Sequence, residues 1–119
     1  MFQNFFMEPS PRFARAYDLL RESCIQSERM PRSRRVVLGR RMEDAAFDFH
    51  EAITAAARSR DPRPLLAQAD LALNRWRLCL RLGADLSLFS EGRLVELMQL
   101  VAEAGRLLGG WQRKLAPKQ

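Results

Sequence analysis

Apolar residues recur at three- and four-residue intervals along four successive segments, and nowhere do they alternate over the length of a β-strand. The first segment follows Ser10, a favourable N-cap residue, and Pro11, which suits the first position of a helix. We predict that this helix ends near Glu28, before Pro31. Its core-facing residues are predicted to be Phe13, Ala16, Tyr17, Leu20 and Cys24.

The second and third segments show the same spacing. The second helix is predicted to run from about Arg34 to about Ser59. Its buried face comprises Leu38, Met42, Ala45, Phe49, Ala52, Ile53 and Ala56. The third helix takes Pro62 or Pro64 into its first turn, and Gly83 is expected to close it. Its buried face comprises Leu66, Ala69, Leu73, Trp76 and Leu80.

The fourth helix is predicted to begin at Ser90, with Glu91 in the first turn, where a negative charge favours the helix dipole. Its apolar stripe comprises Leu94, Leu97, Met98, Val101, Gly105, Leu108 and Trp111. Gly105, Gly109 and Gly110 each cost a helix interior up to ~1 kcal/mol relative to alanine. Two interpretations stay open: the helix ends or kinks there, or another backbone approaches closely.

Four helices joined by short connections predict an all-α fold, an antiparallel up-and-down four-helix bundle. The connections lie near residues 30–33, 60–63 and 84–89. A chain of 119 residues fits one domain. We place the bundle domain at residues 10–116, with an N-terminal tail at 1–9 and a C-terminal tail at 117–119.

Two cysteines and one histidine argue against a zinc finger or a disulfide scaffold. Cys24 and Cys79 lie in or beside apolar stripes and are predicted to be small core residues with reduced thiols, as in a cytoplasmic protein. The apolar start of the chain lacks the features of a signal peptide, and no apolar run approaches the ~20 residues that span a bilayer. No membrane association is therefore expected.

Arginines are clustered in one part of the sequence. The chain carries 18 Arg and 2 Lys against 14 acidic residues, and residues 29–42 contain six of the arginines and no acid. Such a cluster is either a solvated loop or a phosphate-binding patch, since clustered cations displace counterions from nucleic acid. Few aromatic residues interleave, so contact with the nucleic-acid backbone is expected rather than base stacking. The candidate binding residues are Arg32, Arg34, Arg35, Arg40 and Arg41.

A second basic group lies on the third helix. Arg77 and Arg81 are four residues apart and share a face, with Arg75 nearby. An exposed face with ion pairs to Asp70 or Asp85 is the alternative interpretation.

The sequence offers little for catalysis. His50 and Glu51 begin a zincin-like motif, but Thr54 stands where that motif requires a second histidine. A ferritin-like di-metal site would need glutamate three residues before His50, and that position holds Phe47. We therefore expect no enzyme activity, no catalytic residue, no metal and no cofactor.

Three stretches carry a family resemblance. They are MPRSRRVVLGRRMEDAA (30–46), RLCLRLGADL (77–86) and EAGRLLGGW (103–111). Together they resemble the accessory variability determinant (Avd) proteins of diversity-generating retroelements, over roughly residues 12–115. Avd proteins belong to a wider four-helix group that includes proteins encoded in ribosomal RNA intervening sequences. The first stretch is shared with that wider group, whereas the other two are more specific to Avd.

The resemblance implies a homopentameric barrel of four-helix protomers with a basic surface. Such a protein binds the retroelement's reverse transcriptase and its template RNA, and it supports mutagenic retrohoming without being a catalyst. The implied contacts to the polymerase or to RNA are Arg77, Arg81 and Arg106. The residues implied to shape the bundle or the subunit interface are Gly105, Gly109 and Trp111.

Two alternatives stay open. One is a structural four-helix protein of the intervening-sequence type with weak nucleic-acid binding. The other is an enzyme or a metal-binding bundle, for which stoichiometric metal in the pure protein would be the sign.

Overall fold

The computed structural model describes residues 10–117, and this part of the chain is all-helical and contains no strand. Its four long helices are α1 (Pro11–Arg29), α2 (Arg40–Ala57), α3 (Arg63–Asp85) and α4 (Glu91–Leu115). Each helix packs against the next, and α1 also packs against α4, which closes an antiparallel bundle. The predicted four-helix bundle is thereby confirmed. The predicted tail at 1–9 and residues 118–119 lie outside the described part.

The helix starts follow the predicted signals with one exception. Ser10 occupies the N-cap position of α1 in an extended conformation, and the Oγ of Ser90 accepts a hydrogen bond from the backbone N–H of Arg93 at the start of α4. The exception is α2, where a helical turn at Arg32–Arg34 and a π-helical segment at Arg35–Gly39 lead into the α-helix without a break. The spacing of apolar residues did not predict the π-helical segment.

One glycine prediction was wrong, and one of the two open interpretations of the α4 glycines, a helix end, is excluded. Gly83 does not close α3, which continues to Asp85 with Gly83 in a right-handed helical conformation. Its missing side chain instead leaves room for the ring of Phe89 in the following connection. In α4 the helix does not end at its glycines but continues to Leu115.

The predicted buried faces of α2 and α3 are confirmed in full, and Trp76 lies at the centre of the core with no exposed surface. Predictions for α1 and α4 were partly wrong, because Tyr17, Cys24 and Met98 are exposed. On α1 the buried positions include Ser23, so the buried face does not follow apolarity alone.

Two hydrogen bonds explain how α1 tolerates the hydroxyl of Ser23 in its core face. The Oγ of Ser23 accepts a hydrogen bond from the Nε1 of Trp76 at 2.7 Å and donates one to the carbonyl of Leu19 at 2.6 Å. Both polar groups are satisfied, so their burial carries little penalty. This bond ties α1 to α3 across the bundle.

No helix within residues 10–117 combines the length and the apolarity needed to cross a bilayer.

Candidate nucleic-acid interface

Five exposed arginines stand at the end of the bundle where α1 gives way to α2. We call them the arginine pole, and they are Arg32, Arg34, Arg35, Arg40 and Arg41. The first three lie on the helical turn and the start of the π-helical segment, and the last two lie on the first turn of α2. The predicted candidate residues of this cluster are therefore adjacent in space as well as in sequence.

The π-helical segment determines how these arginines are presented. The backbone N–H of Arg40 donates to the carbonyl of Arg35, five residues back, which adds one residue to that turn. In an uninterrupted α-helix, the residues three and four before the buried Leu38 would share its face. These residues are Arg34 and Arg35, and both are exposed. Leu38 is buried and the arginine pole is exposed on one continuous helical stretch that contains this extra residue.

A close contact between helices fixes the same segment. Gly39 is buried against Ser27 at the end of α1, and a side chain at Gly39 would also come within 3.3 Å of the Sδ of Met30. Only glycine fits here without displacing a neighbour. The start of α2 is therefore held against the end of α1, which gives the arginine pole a rigid base.

The guanidinium groups of the arginine pole are free of carboxylate partners. None of them forms an ion pair with any acidic residue of the described chain. Elsewhere, Arg63 binds Asp61 at 2.7 Å and Arg75 binds Asp48 at 3.3 Å. Unpaired guanidinium groups keep their forked donors available for phosphate oxygens.

A groove of about 580 Å³ runs from the arginine pole along the boundary of α2 and α3. Arg40 and Arg41 lie on one wall, together with the carboxylates of Asp44 and Asp48, and Leu78 contributes apolar surface from α3. Because cations and carboxylates alternate, the groove is less favourable for a polyanion than the pole itself.

The remaining predicted contact arginines are dispersed. Arg81 is exposed on the last part of α3, at the same end of the bundle as the arginine pole. Arg77 is half-buried, and its Nη1 donates to the Oδ1 of Asn74 at 2.7 Å. Arg106 lies about 20 Å along α4 from Glu91, towards the opposite end. The structure therefore brings Arg81 to the arginine pole but not Arg106.

The residues assigned to packing or a subunit interface have separate surroundings. Gly105 lies under the guanidinium of Arg77, which crosses from α3 to α4 where a side chain would block it. Gly109 faces the guanidinium of Arg113 on its own helix. Trp111 is half-buried beside the start of α1. Of the two interpretations of these glycines, close approach fits Gly105, with a side chain rather than a backbone as the neighbour.

Sequence reasoning missed one contact at the far end of the bundle. The guanidinium carbon of Arg12 lies 4.1 Å from the centre of the Trp111 ring, in cation–π geometry. The two residues belong to the first turn of α1 and the last turns of α4, so only the antiparallel pairing of these helices brings them together.

The two thiols show no sign of activation. Burial, with the nearby charge of Glu43, raises the pKa of Cys24 above its ordinary value. Burial also raises the pKa of Cys79, although the positive charge of Arg41 acts in the opposite direction. Both thiols are therefore protonated at neutral pH, whereas a nucleophilic cysteine needs a lowered pKa. Within the described residues, no three side chains of His, Cys, Asp or Glu are grouped to hold a metal ion.

Comparison with known proteins gives one match. The family model described as bAvd-like matches residues 13–115, which include all four long helices from their first turns onward. No curated protein and no solved structure matches the chain.

Proposed function

Because the chain belongs to the bAvd-like family, we propose that it is a non-catalytic accessory protein of a diversity-generating retroelement. In this role it binds the element's reverse transcriptase and template RNA and supports mutagenic retrohoming in the cytoplasm. The observation that carries the RNA-binding part is the arginine pole, whose five guanidinium groups are exposed and have no carboxylate partner in the described chain.

Two apolar surfaces support a ring of subunits, which we propose is a homopentamer. One surface lies on the π-helical segment before α2 and on α3, and it contains Val36, Val37, Leu71 and Leu78. The other lies on α4 and contains Val95 and Met98. Leu71 and Leu78 are each about two-thirds exposed and lie seven positions apart on one face of α3, so they form part of one apolar patch, and such patches mark protein interfaces. Contact between two different surfaces is heterologous, and a repeated heterologous contact gives a ring when the rotation from one subunit to the next closes, and an open filament when it does not.

Salt-dependent RNA binding tests the main proposal. We expect the five changes Arg32→Gln, Arg34→Gln, Arg35→Gln, Arg40→Gln and Arg41→Gln to weaken binding of an unstructured single-stranded RNA. Loss of five phosphate contacts would reduce the slope of log affinity against log salt concentration by roughly 3.5. The measurement is a set of RNA titrations at several salt concentrations, with circular dichroism to verify the fold.

A matched variant separates the arginine pole from total charge. The control variant removes the same net charge from other parts of the surface. It carries glutamine in place of Arg15, Arg21, Arg58, Arg60 and Arg63. The salt slope of this control is expected to stay close to that of the unmodified protein. An equal loss in both variants would contradict a localised site.

The solution mass tests the ring. Light scattering at low and high salt is expected to give a mass of about five protomers. A monomer or dimer would contradict the ring and would favour a structural protein of the intervening-sequence type. Co-purification with the reverse transcriptase of the same element, lost in the variant of the arginine pole, would place the polymerase contact there.

A further inference from the structure

A small pocket lies at the end of the bundle opposite the arginine pole. We call it the tryptophan pocket, and it has a volume of about 220 Å³. Its lining includes Ser10, Arg12, Arg106, Trp111 and Lys114. The start of α1 and the end of α4 form its two walls, so the pocket exists only because these helices are antiparallel.

The charged residues that line the tryptophan pocket are all basic. Arg12, Arg106 and Lys114 line it, and none of the acidic residues in the described chain does. The groove beside the arginine pole differs, because Asp44 and Asp48 share its lining with arginines. Arg106 has one carboxylate neighbour outside the lining, Glu103, but at 3.9 Å this is the longest ion pair of the bundle. The pocket therefore favours an anionic group such as a phosphate.

The same pocket offers an aromatic surface, which the arginine pole lacks. Arg12 lies over the ring of Trp111 at 4.1 Å, and Trp111 is half-buried against the core. Nucleic-acid bases stack both on aromatic rings and on guanidinium planes held in place. A cation–π pair at the edge of a cationic pocket therefore presents the two features that hold one nucleotide, a phosphate site and a stacking site.

We propose that the tryptophan pocket binds one nucleotide of a single-stranded nucleic acid. Arg106 and Lys114 contact the phosphate, and the base stacks on the pair formed by Arg12 and Trp111. This inference rests on the RNA binding proposed above and adds to it a preference for single strands, because a base inside a duplex is not free to stack. The arginine pole contacts phosphates alone and contributes equally to single strands and duplexes.

Tryptophan fluorescence gives a direct readout. The chain has two tryptophans, and Trp76 is fully buried and bonded to Ser23, so it is shielded from a ligand. Titration with an oligouridylate is expected to quench the emission of Trp111, because the bound base stacks on the guanidinium of Arg12 that lies over the indole ring. In the Trp111→Phe variant, which retains a ring, binding should persist while the quenching disappears. Quenching that persists in this variant would overturn the assignment to Trp111.

Binding constants test the two halves of the pocket. Trp111→Leu is expected to weaken oligouridylate binding roughly 5- to 150-fold, the loss of one stacked base, and to leave the affinity for a duplex of equal length unchanged. The double variant Arg106→Gln, Lys114→Gln should weaken oligouridylate binding and lower the salt slope by about 1.4. Arg58→Gln with Arg60→Gln, at the same end but outside the tryptophan pocket, is the control of equal charge.

The outcomes separate this inference from the proposed function. If the unmodified protein binds no RNA, the proposed function fails. If RNA binds and loses affinity only when the arginine pole is changed, the tryptophan pocket is not a nucleotide site. A change in solution mass in Trp111→Leu, without a selective loss of single-strand binding, would assign Trp111 to a subunit interface instead. Competition gives the last outcome. If free polyglutamate displaces the oligouridylate as readily as free RNA does, the pocket binds anions in general, and the proposal of a nucleotide site is overturned.

Discussion

Arginines in two regions of this bundle differ in whether they form ion pairs with carboxylates. At the α1–α4 seam, Arg15 binds Asp18 at 2.9 Å and Glu103 at 3.1 Å. Arg93 binds Glu96 at 2.9 Å and also contacts Glu22 at 3.4 Å. The arginines of the arginine pole are more exposed and have no such partner in the described chain.

The two regions differ in ion pairing and not in the type of charge, because carboxylates hold the arginines at the seam and none pairs with the arginine pole within the described chain. Outside residues 29–42, the sequence contains as many basic as acidic residues. Equal numbers do not mean that each basic residue forms an ion pair with an acidic one. The fold pairs Arg15 and Arg93 at the seam, yet it gathers Arg12, Arg106 and Lys114 around a pocket that no described carboxylate lines.

The largest effect is expected from a change that moves the arginine pole without altering any charge. Gly39→Leu introduces a good helix former where a side chain would press on Ser27 and Met30. Overpacking of this kind is expected to lower the free energy of unfolding by about 1–3 kcal/mol. Displacement of the start of α2 should also weaken RNA binding at unchanged net charge. Urea unfolding and RNA titration measure the two effects.

The same substitution at Gly92 is the control. Gly92 lies in the first turn of α4 with open space where a side chain would be placed. Gly92→Leu is expected to leave RNA affinity unchanged and to raise the free energy of unfolding by up to ~1 kcal/mol through helix propensity. Unchanged RNA affinity in Gly39→Leu would mean that charge alone, regardless of its placement, governs binding.

The sequence was sufficient to predict the bundle where burial follows apolarity. On α2, the spacing from Leu38 to Ala56 predicted the buried face correctly, because a helix packed on two neighbours buries one continuous stripe. On α1 the same reasoning placed Tyr17 and Cys24 in the core. It failed there because Ser23 fills a core position with a hydroxyl, and its partner, Trp76, is distant in the sequence.

The two candidate surfaces were predictable to different degrees for a similar reason. The arginine pole is local, so five nearby residues in the sequence are also neighbours in space. The π-helical segment that presents them has no apolar signature. The tryptophan pocket depends on Arg12 and Trp111, whose contact exists only after α1 and α4 have paired.

An intermediate effect is expected at Cys24, which reports on the arginine pole. Its exposed thiol lines a shallow pocket with Arg35 and Arg40. Bound RNA should cover this pocket, and its phosphates should raise the pKa of Cys24 further. We expect saturating RNA to slow alkylation by iodoacetamide severalfold, measured by mass spectrometry. Because burial and the charge of Glu43 already raise the pKa of Cys24, the rate without RNA should keep increasing with pH beyond the ordinary pKa of a cysteine thiol.

Cys79 is the internal reference for this footprint. It is buried between α2 and α3, and its pKa is also raised by burial. Its alkylation should be slow with or without RNA and should become fast only on unfolding. Equal protection of Cys24 by RNA in the five-residue glutamine variant of the arginine pole would show that RNA reaches this end of the bundle by another contact.

The smallest effect is expected at the α1–α4 seam, where the comparison predicts structural arginines. Arg93→Gln removes an ion pair with Glu22, whose side chain is only 15% exposed, but Arg21 stays within 3.6 Å of the same carboxylate. Such partly exposed pairs contribute less than about 1 kcal/mol each, and salt screens them.

We therefore expect Arg15→Gln with Arg93→Gln to lower the free energy of unfolding slightly at low salt and less at high salt. RNA affinity should change by no more than about twofold, since neither Arg15 nor Arg93 belongs to the arginine pole and salt screens the carboxylates that lose a partner. If this double variant instead weakened RNA binding as strongly as changes at the arginine pole, paired and unpaired arginines would contribute equally to RNA binding. The distinction between the two regions would then be wrong.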